Sequence, residues 1–209
     1  KISNDPYELF LQLEKATYIA DMPLSSLSNL AHYNLMRAAR DNNIKVILSG
    51  QGADELLCGY RKYLLFFMQE KFQSLDLIGL IKIIISFSSN KEFLKQFNFA
   101  DAKRYLPSML GFLKNNTYGP ALKHIEPISM SMRYGSKVSQ RQFQDLMNFS
   151  VPTLNHFEDR MSMMHSREIR LPFLDHNLVE LILSSPTSYK LANGWTKFSF
   201  RQSMKNNLP

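Results

Sequence analysis

Cysteine is almost absent from this 209-residue chain; Cys58 is the only one. One thiol cannot close an internal disulfide, so the fold must hold by its core, and an intracellular compartment is favoured. Beside Gly59, Cys58 reads as a small buried residue rather than a nucleophile. Basic runs are also lacking, although the net charge is +7. The cations are scattered, as at Lys45, Arg61, Lys62, Lys103, Arg104 and Lys190. That distribution fits a solvated surface and argues against a nucleic-acid track. There is no long hydrophobic run. The most apolar stretch, Leu75 to Phe87, is short and holds Asp76 and Lys82, which excludes a bilayer span and predicts a buried helix. No signal peptide, repeat or low-complexity segment is visible, and neither G-x-x-x-x-G-K-S/T nor G-x-G-x-x-G occurs.

What is present is an ordinary globular composition, 44% apolar and 21% charged. It suffices for one sizeable core, so residues 1–209 are expected to form a single domain. The stretch from Lys45 to Tyr60 organises the chain. Val46-Ile47-Leu48 is an apolar, β-branched run, and Ile44 to Leu48 is expected as a short buried strand. Ser49-Gly50-Gln51-Gly52-Ala53 follows as a small-residue turn, then Asp54 and Glu55 in the first turn of a helix. A strand, a Gly-rich turn and a helix start can offer backbone N–H groups to an anion, and first-turn acids can hold Mg²⁺ against phosphates. The same pattern also describes a capped turn with no ligand.

Around it, helical spacing predicts further elements. Asp5-Pro6 opens a helix with Leu9, Phe10, Leu13 and Ala16 on its apolar face, and Ser25-Ser26 caps another through Leu30, Leu35 and Ala39. Tyr63 to Phe72, Leu75 to Phe87, Val138 to Phe149 (with Phe143, Leu146 and Met147 on one face) and a helix from Pro152 follow. Glu168 to Leu171 is extended, Asp175 caps Leu178 to Leu183, Gly194 turns, and Thr196 caps the last helix. Between Asn90 and Gly119 the spacing predicts helices after Asn90 and Asp101, an apolar piece from Met109 to Leu113, and a turn at Tyr118-Gly119-Pro120.

LSGQGADELLCGY resembles the S-G-x-G-x-D-E-x-x-x-G-Y signature of the asparagine synthetase family, in its ATP-using synthetase domain. The run from Glu158 to His176, EDRMSMMHSREIRLPFLDH, resembles a second family block. Thr196, Lys197 and Arg201 resemble a third, T-K-x-x-x-R. The resemblance implies a helix-dominated α/β fold, part of an adenine nucleotide alpha-hydrolase-like (PP-loop ATPase) domain with a short parallel sheet. It implies an ATP-dependent ligase that adenylates a carboxylate, aspartate or an analogue, for attack by ammonia. ATP and Mg²⁺ are then the cofactors, and the location cytoplasmic. Ser49, Gly50 and Gly52 would contact the nucleotide, and Asp54 would bind the metal. Glu55 would orient groups nearby, and Lys197 would meet the departing pyrophosphate.

Two departures qualify this. The family's S-G-G-x-D-S phosphate loop is not in the chain, and Gln51 stands where asparagine synthetases usually carry Glu. Glutamine keeps the size and hydrogen bonding of Glu but cannot act as a base. The substrate can therefore be another carboxylate, such as a sugar acid, or the chain an inactive paralogue serving as a binding module. The chain begins without Met, so a piece of a longer protein is expected, with the phosphate loop and a glutaminase domain upstream. Such an isolated piece is expected to be inactive; a homodimer is left open. Glu168 and Arg170 read as a structural ion pair. His156, His165 and His176 read as packing or hydrogen-bonding residues rather than metal ligands.

Overall fold

The computed structural model describes residues 5–90 and 138–207. The helices expected after Asn90 and Asp101, the Met109 to Leu113 piece and the Tyr118 turn lie outside them. In chain order the described elements are α1 (Pro6–Ala20), α2 (Leu27–Asp41), β1 (Val46–Leu48), α3 (Ala53–Leu56), α4 (Arg61–Gln73) and α5 (Leu77–Ser88). Then come α6 (Val138–Met147), α7 (Ser150–Met163), β2 (Glu168–Arg170), a 3-10 turn (Pro172–Leu174) and α8 (His176–Ser184). The last are α9 (Thr187–Lys190), β3 (Leu191–Ala192), β4 (Trp195–Thr196) and α10 (Phe198–Met204). No helix among the described residues is long and apolar enough to cross a membrane. The chain divides into two compact units, Lys1–Leu56 with Gln144–Ile182, and Leu57–Phe143 with Leu183–Pro209.

In the first unit, α1, α2 and α7 pack around Ala16, Ala20, Leu30, Tyr33, Phe157 and Met161. The starts of α1 and α2 are side-chain capped: the Asp5 carboxylate accepts from the Tyr7 N–H, and Ser26 Oγ from the Ser28 N–H. Such caps are worth about 1 kcal/mol each. The buried stripe of α1 is Gln12, Ala16 and Ala20, one residue per turn. Its alanines suit close helix contact, whereas Phe10, expected on the apolar face, is exposed. Gln12 is held across the interface, accepting from Asn34 Nδ2 at 2.9 Å. His156 Nε2 donates to the Ala20 carbonyl, and Arg160 pairs with Asp21, which ends α1 in the left-handed region.

β1 and β2 pair in parallel, Val46 opposite Glu168 and Leu48 opposite Arg170. The parallel strand expected from the helix–strand–turn order is thus present. Its burial is not: Val46 and Leu48 are exposed. A strand apolar on both faces belongs inside a parallel sheet, but among the described residues β1 has a neighbour on one side only. The helix expected to open at Asp54 is a single turn, because Cys58 at φ 55° turns the chain out of it.

In the second unit, α4 and α5 pack with Cys58, Val138 and Leu191 around Tyr63, Phe66, Phe67 and Phe87. The buried face of α6 carries Arg141 and Gln142 as well as Val138, while Phe143, expected inside, is exposed. Gln142 accepts from the buried Lys190 Nζ at 2.9 Å, and Arg141 lies over the Phe66 ring. The α5 segment was expected to be a buried helix. Among the described residues it packs through Phe87 and Ile83, and Ile78, Ile81 and Ile85 are exposed. Its start is fixed by Asp76, which accepts from the Gly79 N–H and pairs with Lys71. β3 and β4 form an antiparallel hairpin. Its turn is Asn193-Gly194, both at positive φ, the conformation a two-residue hairpin demands.

Candidate functional site

The Ser49–Glu55 turn stands at the carboxyl end of β1, the end where parallel sheets bind ligands. Its start is locked to the sheet, since the Ser49 N–H donates to the Arg170 carbonyl at 3.0 Å. Ser49 Oγ then accepts from the Gln51 N–H at 3.3 Å, closing a local turn. The two glycines differ. Gly52 has φ +88°, and a Cβ there would stand 2.3 Å from Leu174 Cδ2, so both the backbone and the 3-10 turn demand glycine. A Cβ on Gly50 would meet nothing within 4 Å. Nothing in the described chain therefore requires Gly50 to lack a side chain.

The two acids differ as well. Asp54 is half-buried, whereas Glu55 is buried and its carboxylate accepts from Ser150 Oγ at the start of α7. Glu55 thus ties the turn to α7. With only one turn of helix behind them, little macrodipole is on offer. No group of three or more metal-ligating side chains occurs among the described residues.

Gln51, His32 and Glu158 are among the residues lining a recess of about 190 Å³ between α2 and α7. His32 Nε2 and Glu158 Oε2 are buried with no hydrogen-bond partner among the described residues. Burial lowers the His32 pKa below its ordinary value, and the Glu158 charge partly offsets this. Neither residue is assigned a role by sequence reasoning. Glu158 lies within the second motif block, but His32 carries no sequence signal, being one polar residue on a helix. A larger recess, about 600 Å³, runs along β2 from Ser166 to Leu171 and also touches Glu158. It contains none of the turn residues, so the smaller recess is the one belonging to this site.

The remaining predicted residues are placed as follows. Arg170 Nε donates to Glu168 at 2.7 Å in an exposed ion pair. His165 is buried against the Tyr33 ring, 4.8 Å between centroids, and its pKa is lowered by burial and then by Arg40. Asp175 caps α8, accepting from the Asn177 and Leu178 N–H groups, which hold its pKa low. Lys197 belongs to the second unit. It is half-buried, in the left-handed region at φ 54°, and its N–H donates to the Leu57 carbonyl. Thr196, expected as the cap of the last helix, lies in β4 instead, and Lys197 holds the N-cap position without a side-chain cap bond. The hairpin recruits the Thr196 carbonyl differently: it accepts from Arg201 Nε, while the guanidinium lies 4.9 Å from the Trp195 ring centre.

Comparison with known proteins gives this arrangement a context. The asparagine synthetase (glutamine-hydrolyzing) 1 of Bacillus subtilis is 26% identical, over 98% of this chain and 34% of its own length. The asparagine synthetase (glutamine-hydrolyzing) 2 of the same organism is 27% identical, over 91% of this chain and 24% of its own length. Amidase chyE of Penicillium rubens is 21% identical, over 96% of this chain and 34% of its own length. The chain thus spans about a third or less of the length of these relatives. No solved structure matches. The asparagine synthase family model runs from residue 2 to residue 209, through the turn, the second block and the Lys197 segment alike, and the chain belongs to that family.

Proposed function

We propose that residues 1–209 are part of one synthetase domain of an ATP-dependent, amide-forming ligase. The observation that carries this reading is the family match along the whole chain, joined to a Gly-rich turn at the carboxyl end of a parallel strand. In this chemistry a carboxylate oxygen attacks the α-phosphorus of ATP and pyrophosphate leaves. Ammonia then attacks the acyl carbon, a proton departs, and AMP is expelled. The protein's task is to position the reactants and offset charge. Ser49 and the open backbone at Gly50 would receive the nucleotide, with Gly52 setting the turn. Asp54 fits a Mg²⁺ held mostly by phosphate oxygens, and that ion would neutralise pyrophosphate charge. Glu55, through Ser150, would keep the turn and α7 in register.

The carboxylate is proposed as aspartate or an analogue, with a sugar acid as the alternative that Gln51 leaves open. The ammonia would come from a glutaminase part of the whole protein, and the location would be cytoplasmic. Lys197 would meet the charge on pyrophosphate as a compact cation. In the full-length protein, Lys197→Ala should lower ATP- and carboxylate-dependent pyrophosphate release about 100-fold, the scale of losing one oxyanion-type donor. Its urea midpoint should stay put, because alanine tolerates the same backbone conformation as lysine. Unchanged turnover in a folded Lys197→Ala protein would remove Lys197 from the reading. The absence of pyrophosphate release with every carboxylate tried would remove the ligase.

A further inference from the structure

The junction between the β3–β4 hairpin and α10 holds a backbone conformation that its residues do not favour by themselves. Lys197 stands there at φ 54° and ψ 34°, in the left-handed region, as the N-cap of α10 with no side-chain cap bond. A residue with a Cβ is uncommon in that region and persists there only when its surroundings over-determine it. The Lys197 N–H donates to the Leu57 carbonyl at 3.1 Å. Its own carbonyl accepts from the Arg201 N–H at 2.9 Å, which opens the helix. The Arg201 side chain then turns back along the chain. Its Nε donates to the Thr196 carbonyl at 3.0 Å, and its guanidinium lies 4.9 Å from the centre of the Trp195 ring. One arginine thus engages three consecutive residues, Trp195, Thr196 and Lys197. The hairpin is itself fixed at its turn. Asn90 Nδ2 donates to the Gly194 carbonyl at 2.9 Å, and a Cβ on Gly194 would collide with the Ser86 carbonyl oxygen.

We infer that Arg201 is a positioning residue: it clamps Lys197 in the left-handed conformation and so fixes the direction in which the lysine side chain leaves the hairpin. Rotating residue 197 into the extended or right-handed region would redirect its Cα–Cβ bond relative to β4. Lysine is a point charge on a flexible stem, so a cation meant for a developing charge gains from a fixed root. The chemistry calls for arginine and not merely for a positive charge. A planar guanidinium can donate through Nε while one face lies on an indole ring, and an ammonium has no such plane. The side chain is folded back on its own hairpin, which favours support of Lys197 over direct contact with a phosphate. The inference rests on the ligase reading for its consequence in turnover, whereas the clamp itself is a property of the backbone.

The test compares the full-length protein with its Arg201→Lys variant, which keeps the charge and loses the plane. Hydrogen exchange at the Lys197 amide is read first, because it needs no turnover. Arg201→Lys should speed it about tenfold, as expected of a local opening, while exchange in α4 stays as in the parent and shows the fold intact. Pyrophosphate release is read next, with ATP and L-aspartate or, failing that, D-galacturonate. Arg201→Lys should lower kcat about tenfold, with little change in the KM for ATP, because the charge on the leaving group grows in the transition state. In a Lys197→Ala background the same change should cost nothing further, since the arginine acts through the lysine. Trp195→Leu, which removes the platform under the guanidinium, takes the place of Arg201→Lys if that variant does not fold. Unchanged exchange at Lys197 would overturn the inference whatever the turnover. Full turnover of folded Arg201→Lys would also overturn it. So would an equal loss in the Lys197→Ala background, which would make Arg201 a phosphate ligand in its own right. If the parent releases no pyrophosphate with either carboxylate, the ligase falls and the exchange alone decides the clamp.

Discussion

Two glycines two residues apart separate what the fold needs from what a ligand needs. Gly52 is fixed by its own chain, through φ +88° and the contact with Leu174. Gly52→Ala should therefore destabilise the first unit by about 2–4 kcal/mol, combining left-handed strain with overpacking. Urea unfolding would measure it. Gly50 has open space around its Cα and no positive φ. Gly50→Ala should leave stability within about 0.5 kcal/mol, yet lower pyrophosphate release in the full-length protein if the nucleotide passes close to that backbone. If Gly50→Ala instead unfolds the chain, glycine there serves the fold. The sequence presented the two glycines alike, as members of one motif. What distinguishes them is Leu174, brought up from the second motif block by packing. The same holds for His32, which gains meaning only once α7 sets Glu158 near it.

Among the elements, local chemistry was legible and coverage was not. Asp5, Ser26 and Asp175 cap the helices their sequence positions suggest, because capping is settled within a few residues. The Asn193-Gly194 hairpin was also written locally, although only its turn was read: strands of two residues are too short for alternation to register. Apolar runs behave differently. They state that a face is to be covered, not by what. The α5 run predicts burial, and among the described residues Ile78, Ile81 and Ile85 form an exposed stripe at positions i, i+3 and i+7. Replacing Ile78 and Ile81 with Lys should then leave the urea midpoint of the 209-residue chain nearly unchanged. Lysine is at least as good a helix former as isoleucine, and little buried contact is lost. The same double variant should scatter less light on concentration, as expected when an exposed apolar patch is broken. A clear loss of stability would mean that the stripe is covered in solution.

For the molecule as a whole, the buried titratable groups divide between the two units, and so should the response to pH. The first unit holds His32 and His165, both with lowered pKa values, chiefly through burial. Below the ordinary value of 6.5 the unfolded chain binds protons that these folded imidazoles resist. Stability of the first unit should therefore fall as pH drops below 6.5. The second unit holds Cys58 and Lys190. Burial pushes the Cys58 thiol from 9.0 up to about 12, so above pH 9 the unfolded chain loses a proton that the folded one keeps, and stability falls. Lys190 is lowered by burial from 10.5, so up to that pH the unfolded chain binds the extra proton, and stability rises with pH. Between 9 and 10.5 the two slopes oppose each other and partly cancel. Cys58→Ala deletes the falling limb. Hydrogen exchange resolved by unit, followed from pH 5 to about 11 with intrinsic exchange rates corrected, should show the second unit of Cys58→Ala still gaining protection up to 10.5. In the parent chain that gain should flatten above 9.0. Acid should loosen the first unit before the second. If both units lose protection together at every pH, the chain unfolds as one body and the division of these groups has no separate consequence.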